Sequence, residues 1–284
     1  MIKVLRTIYD HNGTTYKVGT VISEDVFKPK YLERLFRNGA IEYVELKPTQ
    51  SFKGKVNPVI VTGMWKRPEV FEIFAKHTKT LGIDVIVAGS EGKKSRNLAE
   101  KYGFHYIEIE NDPLAAKMNA TTLKAKELKY THVICVGSDD LLSKELIDEY
   151  LTLMRKGYDY IGVTDFYFYE LESGKAAYWG GYRDRNRIGH TAGAGRVISK
   201  TLLDEWDWMP WDDKDSKYLD NSMQNKLRSS IHPKTTFSLK GKGLLAVDIK
   251  SQVNMTPFEL WDNTLYIEPK LITDNFNVRN SSNN

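Results

Sequence analysis

Between Pro58 and Leu142 the sequence alternates short apolar runs with amphipathic ones, and this alternation restricts the fold more than any other feature. Pro58 to Thr62 reads as a short β-branched strand. A helix then opens on Pro68, carries Val70, Ile73, Phe74 and Leu81, and stops at Gly82. Asp84 to Ala88 is a second strand, a short helix ends at Tyr102-Gly103, and Phe104 to Ile109 is a third strand. After Pro113, residues Leu114, Met118, Thr121, Ala125 and Leu128 recur at alternating steps of four and three, the spacing of one helical face. That helix leads into a fourth apolar run, His132 to Val136. Parallel neighbours need a crossover, and a crossover helix packs on the sheet it spans. The order βαβαβαβ therefore predicts an α/β fold, a mostly parallel Rossmann-like sheet flanked by helices.

The fourth strand runs into Gly137-Ser138-Asp139-Asp140. Open α/β sheets bind ligands beyond the carboxyl ends of their strands. Two adjacent carboxylates there make a hard, oxygen-rich site for Mn2+ or Mg2+, with a ligand phosphate completing the shell. The plainer role for such a pair is to turn the loop or cap the helix that follows, and the local text leaves both open.

At 284 residues the chain has room for about two domains. Residues 1–46 read as a small β-rich N-terminal module: strands at Lys3 to Tyr9 and Thr15 to Ile22 about the turn His11-Asn12-Gly13, then a short helix, Lys30 to Arg37. It resembles small modules appended to phage proteins and is expected to serve binding or assembly. Residues 47–57, rich in proline, glycine and lysine, are a linker, and 58–250 form the main domain. Within it, Lys144 to Arg155 is an amphipathic helix, and Tyr158 to Leu171 with Ala176 to Tyr182 read as an aromatic hairpin. Trp206, Trp208 and Trp211 pack the core or line a pocket wall. Beyond Leu227 the pattern loses its period. Residues 251–284 are an extension, expected to end in a disordered polar tail from Asn275.

The lone cysteine, Cys135, lies inside an apolar strand and suits core packing. No stretch has the apolar length of a membrane span and MIKVLRTIYD lacks a signal-peptide pattern, so a cytoplasmic location is expected. The net charge of +4 permits an anionic partner without demanding one.

From Asn57 to Leu227 the order of these pieces resembles the GT-A nucleotide-sugar glycosyltransferases, most nearly the family 2 type. It is carried by a first strand with Arg67-Pro68 after it, a second strand with a polar loop, NDPLAAKMNAT, and a strand ending in SDD. The resemblance implies Asp140 as direct metal ligand and Asp139 on the donor ribose or on the metal through water. Ser138 stands where many members have an acid. Lys117 and Asn119 occupy places that face the nucleotide in the family, with exposed helix surface as their plain alternative. Thr62 and Arg67, in the loop after the first strand, would lie against the nucleoside, and Glu91 would replace the aspartate usually offered to the base. Inverting members use a late carboxylate as base, here Asp220 ahead of a helix, where an aspartate could equally be an N-cap; Asp212, Asp213 and Asp215 compete. His232 is a candidate further metal ligand.

The activity so implied is metal-dependent transfer of a sugar from a nucleotide-sugar donor, a UDP-sugar first among them, to a hydroxyl acceptor. A hydroxylated base in phage DNA would suit the loop Arg183 to Gly195, where Arg183, Arg185 and Arg187 could bind flanking phosphates; a glycan or protein acceptor is compatible too. The rivals are a nucleotidyltransferase, whose glycine-rich signature VTGMWKRP matches poorly, and a non-catalytic virion or surface-binding protein.

Overall fold

The computed structural model describes residues 1–22, 26–43, 46–183, 187, 190–216, 219–251, 258 and 263–278. In the N-terminal module each expected strand is split in two. β1 (Ile2–Val4) and β2 (Ile8–Tyr9) come from the first, β3 (Thr15–Tyr16) and β4 (Val21–Ile22) from the second, followed by α1 (Pro29–Arg37) and β5 (Ile41–Tyr43). β1 lies between β4 and β5, while β2 and β3 pair about a turn in which Asp10 Oδ1 accepts from Asn12 and Thr14 backbone N–H. Ile2, Val4, Ile8, Phe27, Leu35 and Ile41 form a core of its own.

The main domain contains β6 (Pro58–Gly63), α2 (Pro68–Lys79), β7 (Asp84–Gly89), α3 (Lys93–Lys101), β8 (His105–Glu108), α4 (Leu114–Glu127), β9 (His132–Cys135), β10 (Asp140–Leu142) and α5 (Lys144–Lys156). There follow β11 (Tyr160–Val163), β12 (Phe166–Glu170), β13 (Ala176–Trp179), β14 (Arg196–Ser199), α6 (Lys200–Glu205) and α7 (Leu219–Ser229). β15 (Lys234–Phe237), α8 (Leu239–Lys242) and β16 (Ala246–Lys250) come next, and β17 (Thr264–Ile267) and α9 (Lys270–Thr273) lie past residue 250, with β17 paired to β13. Seven strands form the central sheet in the order β15-β11-β14-β9-β6-β7-β8. Only β14 runs against its neighbours, so the sheet is mostly parallel, as the alternation requires.

Strand alternation sends successive side chains to opposite faces. Ile60, Val85, Val87 and Ile134 join the core shared with α2 and α5, whereas Val59, Val61, Ile86 and Val133 join the one shared with α4, α6 and α7. Trp206, Trp208 and Trp211 belong to the second of these cores. Ser143 caps α5, its hydroxyl accepting from Leu146 N–H, and Gly157 in the left-handed region ends it.

The aromatic segment departs from expectation. It breaks at Thr164-Asp165: β11 stays in the central sheet and β12 crosses into a second sheet of order β10-β16-β12-β13-β17. Asp165 is buried at the break, and its carboxylate accepts from Tyr178 and Ser238 hydroxyls and from Leu239 and Lys240 N–H. The aperiodic region past Leu227 supplies both β15 and β16. Phe276 and Val278 are buried in the main core, which removes them from the expected disordered tail; residues 279–284 lie outside the described residues.

Candidate active site

The chain winds β6, β7, β8 outward in one direction and then returns to place β9 on the other side of β6. Such a reversal opens a crevice at the carboxyl ends of the two strands. A cleft of about 510 Å3 lies there, lined by Gly63 at the end of β6, Cys135 to Asp140 from the end of β9 to the start of β10, the Trp65–Arg67 loop, Lys117 on α4, Arg196 on β14 and Asp220 on α7.

At its base the chain turns sharply after β9 and enters β10. The turn closes with Asp140 N–H donating to Gly137 O at 3.2 Å and Gly137 N–H donating to Asp140 Oδ2 at 2.5 Å. A Cβ on residue 137 would stand 2.5 Å from Asp139 Oδ1 and 2.8 Å from Asp140 Oδ2, so glycine is what lets both carboxylates fold back over the turn. Antiparallel pairing of β10 with β16 sets Asp248 opposite Asp140. Asp139, Asp140 and Asp248 thus offer oxygens within 4.8 Å of one another.

Two cations serve this group. Arg67 Nη1 lies 2.5 Å from Asp139 Oδ2, and Lys250 Nζ donates to Asp248 Oδ2 at 2.6 Å. They do not neutralise it. Burial, then the charges of Asp139 and Asp248, hold the Asp140 carboxyl well above the usual carboxylate range. Burial likewise pushes Asp248 up to about 6 against the opposing pull of Lys250. Asp248 Oδ1 is buried with no hydrogen-bond partner. A carboxylate oxygen without a donor, among three acids whose oxygens crowd together, fits a hard divalent cation bound by Asp140, Asp248 and Asp139.

Two further acids line the cleft apart from the triad, Asp112, which accepts from the Ser216 hydroxyl, and Asp220. Asp220 is the second residue of α7, within the helix rather than at its cap, and lies 3.3 Å from Arg196 Nη1 and 3.9 Å from Arg187 Nη2. Arg196 is buried and fixed by Thr191, donating from Nε to Oγ1 and from Nη2 to the carbonyl, each at 3.2 Å. Arg187 stacks on Tyr182 at 3.6 Å. Gly193 faces Asp220 closely enough that a Cβ there would come within 2.7 Å of Oδ1. Of the competing aspartates, Asp213 accepts from Asn119, Asp212 Oδ1 accepts from Lys214 N–H, and neither these two nor Asp215 line the cleft. Arg185 lies outside the described residues.

Lys117 reaches the cleft floor and is buried, not exposed on the helix. Its ammonium donates to Met64 O at 2.8 Å, Asn111 Oδ1 at 2.9 Å and Ser90 Oγ at 3.2 Å, pinning together three loops, and burial lowers its pKa to about 8. Asn119 does not face the cleft. Two residues along a helix are about 200° apart, so Lys117 and Asn119 cannot share a wall. Asn119 instead clamps the Trp211–Asp213 segment, donating to Trp211 O and Asp213 Oδ1 and accepting from Trp211 N–H.

Three further expectations are corrected. Thr62 is wholly buried inside β6 and the cleft wall begins at Gly63. Glu91 is outside the cleft lining, where Oε2 accepts from Lys66 N–H at 3.1 Å and shapes the Trp65–Arg67 loop. His232 is not in the acidic group: Nδ1 meets Asp159 Oδ2 at 3.0 Å and Nε2 meets Glu205 Oε2 at 2.7 Å. It precedes β15, which runs parallel to β11, so it sits at the amino ends of the strands, the edge away from the cleft. Residues that the sequence reading missed are Asp248, Lys250 and Arg196. The one signal for the first two was Ala-Val-Asp-Ile-Lys, an alternating run of strand length.

The sequence matches no family model and no curated protein. Among solved structures, S. aureus TarS 1-349 aligns with a TM-score of 0.45 and 13% identity over 69% of this chain and 58% of that one. The same protein in complex with UDP gives 0.43 and 15% over 65% and 61%. The inositol-1-phosphate CTP transferase from T. maritima gives 0.46 and 14% over 72% of this chain and 94% of that one. The aligned part spans less than two thirds of the TarS chains. These are likenesses of architecture, and the chemistry of the cleft rests on its own residues. No helix among the described residues is long and apolar enough to cross a membrane.

Proposed function

We propose that the cleft binds a nucleotide sugar together with a divalent cation and transfers the sugar to a hydroxyl acceptor. The observation that carries this reading is the pairing of two separate acidic centres in one cleft, the triad at the base and Asp220 on the wall. Inverting sugar transfer uses both: charge stabilisation on the departing diphosphate and a base for the acceptor hydroxyl. Nucleotidyl transfer to a phosphate monoester needs only the first, because its nucleophile is already an anion.

A cation bound by Asp139, Asp140 and Asp248 would supply Lewis-acid stabilisation of the diphosphate. The protein's own residues do the rest. Arg67 orients Asp139 from the rim. Lys117 fixes the floor formed by Met64, Ser90 and Asn111. Trp65, partly exposed at the rim beneath the Lys66 ammonium, offers a flat face for the nucleobase. Asp220 takes the acceptor proton, and the rigid Arg196 keeps its carboxylate directed into the cleft. The acceptor is a hydroxyl on a modified base, a glycan or a protein.

The test is release of nucleoside diphosphate from UDP-, GDP-, CDP- and ADP-sugars with Mn2+, then transfer to candidate acceptors. Asp220→Asn should lower turnover by about 100-fold or more while donor affinity stays unchanged. If donor affinity falls with it, Asp220 belongs to the donor subsite. Release of pyrophosphate from a nucleoside triphosphate and a sugar phosphate, with nucleotide sugars inert, would replace this reading with nucleotidyl transfer.

A further inference from the structure

The triad is unusual in carrying its own cations. Three carboxylates face two, Arg67 on Asp139 and Lys250 on Asp248. Lys250 is the more telling of the pair. Its side chain is 5% exposed, its Nζ lies over the Phe168 ring 5.0 Å from the centroid, and it also lines the cleft. A buried lysine is costly unless its charge is used, and the place of Lys250 in the cleft lining puts its ammonium within reach of a ligand. Lys250 occupies one oxygen of Asp248 and leaves the other without a donor. It therefore shares a ligand carboxylate with whatever cation enters the site.

We propose that Lys250 is a diphosphate-binding residue that exchanges partners, resting on Asp248 in the metal-free protein and turning to a phosphate oxygen of the ligand when a divalent cation takes its place. This rests on the reading of the cleft as a nucleotide-sugar site and adds an order to it. In the metal-free protein the ammonium of Lys250 is held on Asp248. A divalent cation on the carboxylates would add positive charge beside the diphosphate and release the ammonium. Cation and diphosphate should then bind cooperatively, each strengthening the other by the same factor.

The experiment is isothermal titration of the full chain with Mn2+ and inorganic pyrophosphate, singly and together, for the wild type, Lys250→Gln, Asp248→Asn and the double variant. Glutamine keeps a donor for Asp248, and thermal melts check that each variant folds. Lys250→Gln should bind Mn2+ alone more tightly, since a competing cation is gone, and should bind pyrophosphate in the presence of Mn2+ about tenfold more weakly or worse. Asp248→Asn should gain metal-independent pyrophosphate binding, and the double variant should lose that gain. Unchanged pyrophosphate affinity in folded Lys250→Gln, or a gain in Asp248→Asn that survives in the double variant, overturns the role of Lys250 alone. A wild type that binds no pyrophosphate with Mn2+ overturns the nucleotide-sugar reading beneath it. If Lys250→Gln does not fold, the comparison of Asp248→Asn with wild type still decides: no metal-free gain refutes the exchange.

Discussion

Replacing Asp140 by asparagine should make the metal-free protein more stable, the opposite of what removing a buried side-chain charge does at a structural ion pair. At a separation of 4.8 Å and an effective dielectric constant near 20, two carboxylates repel by about 3 kcal/mol. Asp140 has two such neighbours, Asp139 and Asp248, each partly offset by Arg67 or Lys250. A net relief of about 2 kcal/mol follows, or about 5 °C in melting temperature for a chain of this size. Asparagine keeps the turn, because its amide oxygen can still accept from Gly137 N–H. The sign depends on pH. The folded carboxyl titrates above its ordinary value, so wild-type stability falls as pH rises from that ordinary value through the folded one. Asparagine has no such loss. The variant's advantage should therefore be absent near about pH 4 and larger at about pH 8. Mn2+ reverses the order, since only the wild type gains binding free energy on folding. Thermal or urea unfolding at both pH values, with and without Mn2+, measures all of this. A variant less stable than wild type at the higher pH without metal, or a gap that does not change with pH, would refute the electrostatic account of the triad.

Two further outcomes follow from single residues. Gly137→Ala should fold but bind Mn2+ at least about tenfold more weakly in a titration, because its Cβ meets the oxygens of Asp139 and Asp140 while leaving the rest of the turn alone. His232→Ala should leave Mn2+ affinity unchanged and lower stability in a pH-dependent way. Hydrogen bonding to Asp159 is the main cause raising the His232 pKa, so its contribution is fully present below the ordinary histidine value and is lost as pH rises through the folded one. Urea midpoints of variant and wild type should converge at alkaline pH, and a constant difference across the range would contradict the ion-pair role.

The elements from β6 to β9 and the helix α5 were legible because each is decided locally: β-branched runs bounded by turn residues, and helical faces with recognisable starts and stops; the short β10 between them was not. The carboxylate pair was legible for the same reason, standing at the end of a buried strand. What failed to show is what distant segments decide. The segment from Tyr158 to Leu171 reads as one strand, and the switch of sheets at Thr164-Asp165 is imposed by partners of Asp165 at Ser238, Leu239 and Lys240. Asn119 sat in a motif that suggested the nucleotide, but the helical repeat turns it away from Lys117 towards Trp211.

Asp248 shows where the limit lies. Its own text, an acid between apolar residues in a short strand, reads as the solvent-facing position of an edge, and nothing near it announces a ligand. Only the antiparallel register of β10 with β16 converts it into the neighbour of Asp140. The adjacent pair Asp139-Asp140 names a site but does not complete it. Two carboxylates beside a helix are satisfied by caps and turns, whereas a third, brought in from another sheet strand with one oxygen lacking a donor, opposes folding unless a cation is there to bind. His232 was the plausible candidate to complete the site because histidine is a common ligand type, yet a ligand is chosen by where its strand ends. β15 presents His232 at the amino edge of the sheet, and β16 presents Asp248 in the cleft.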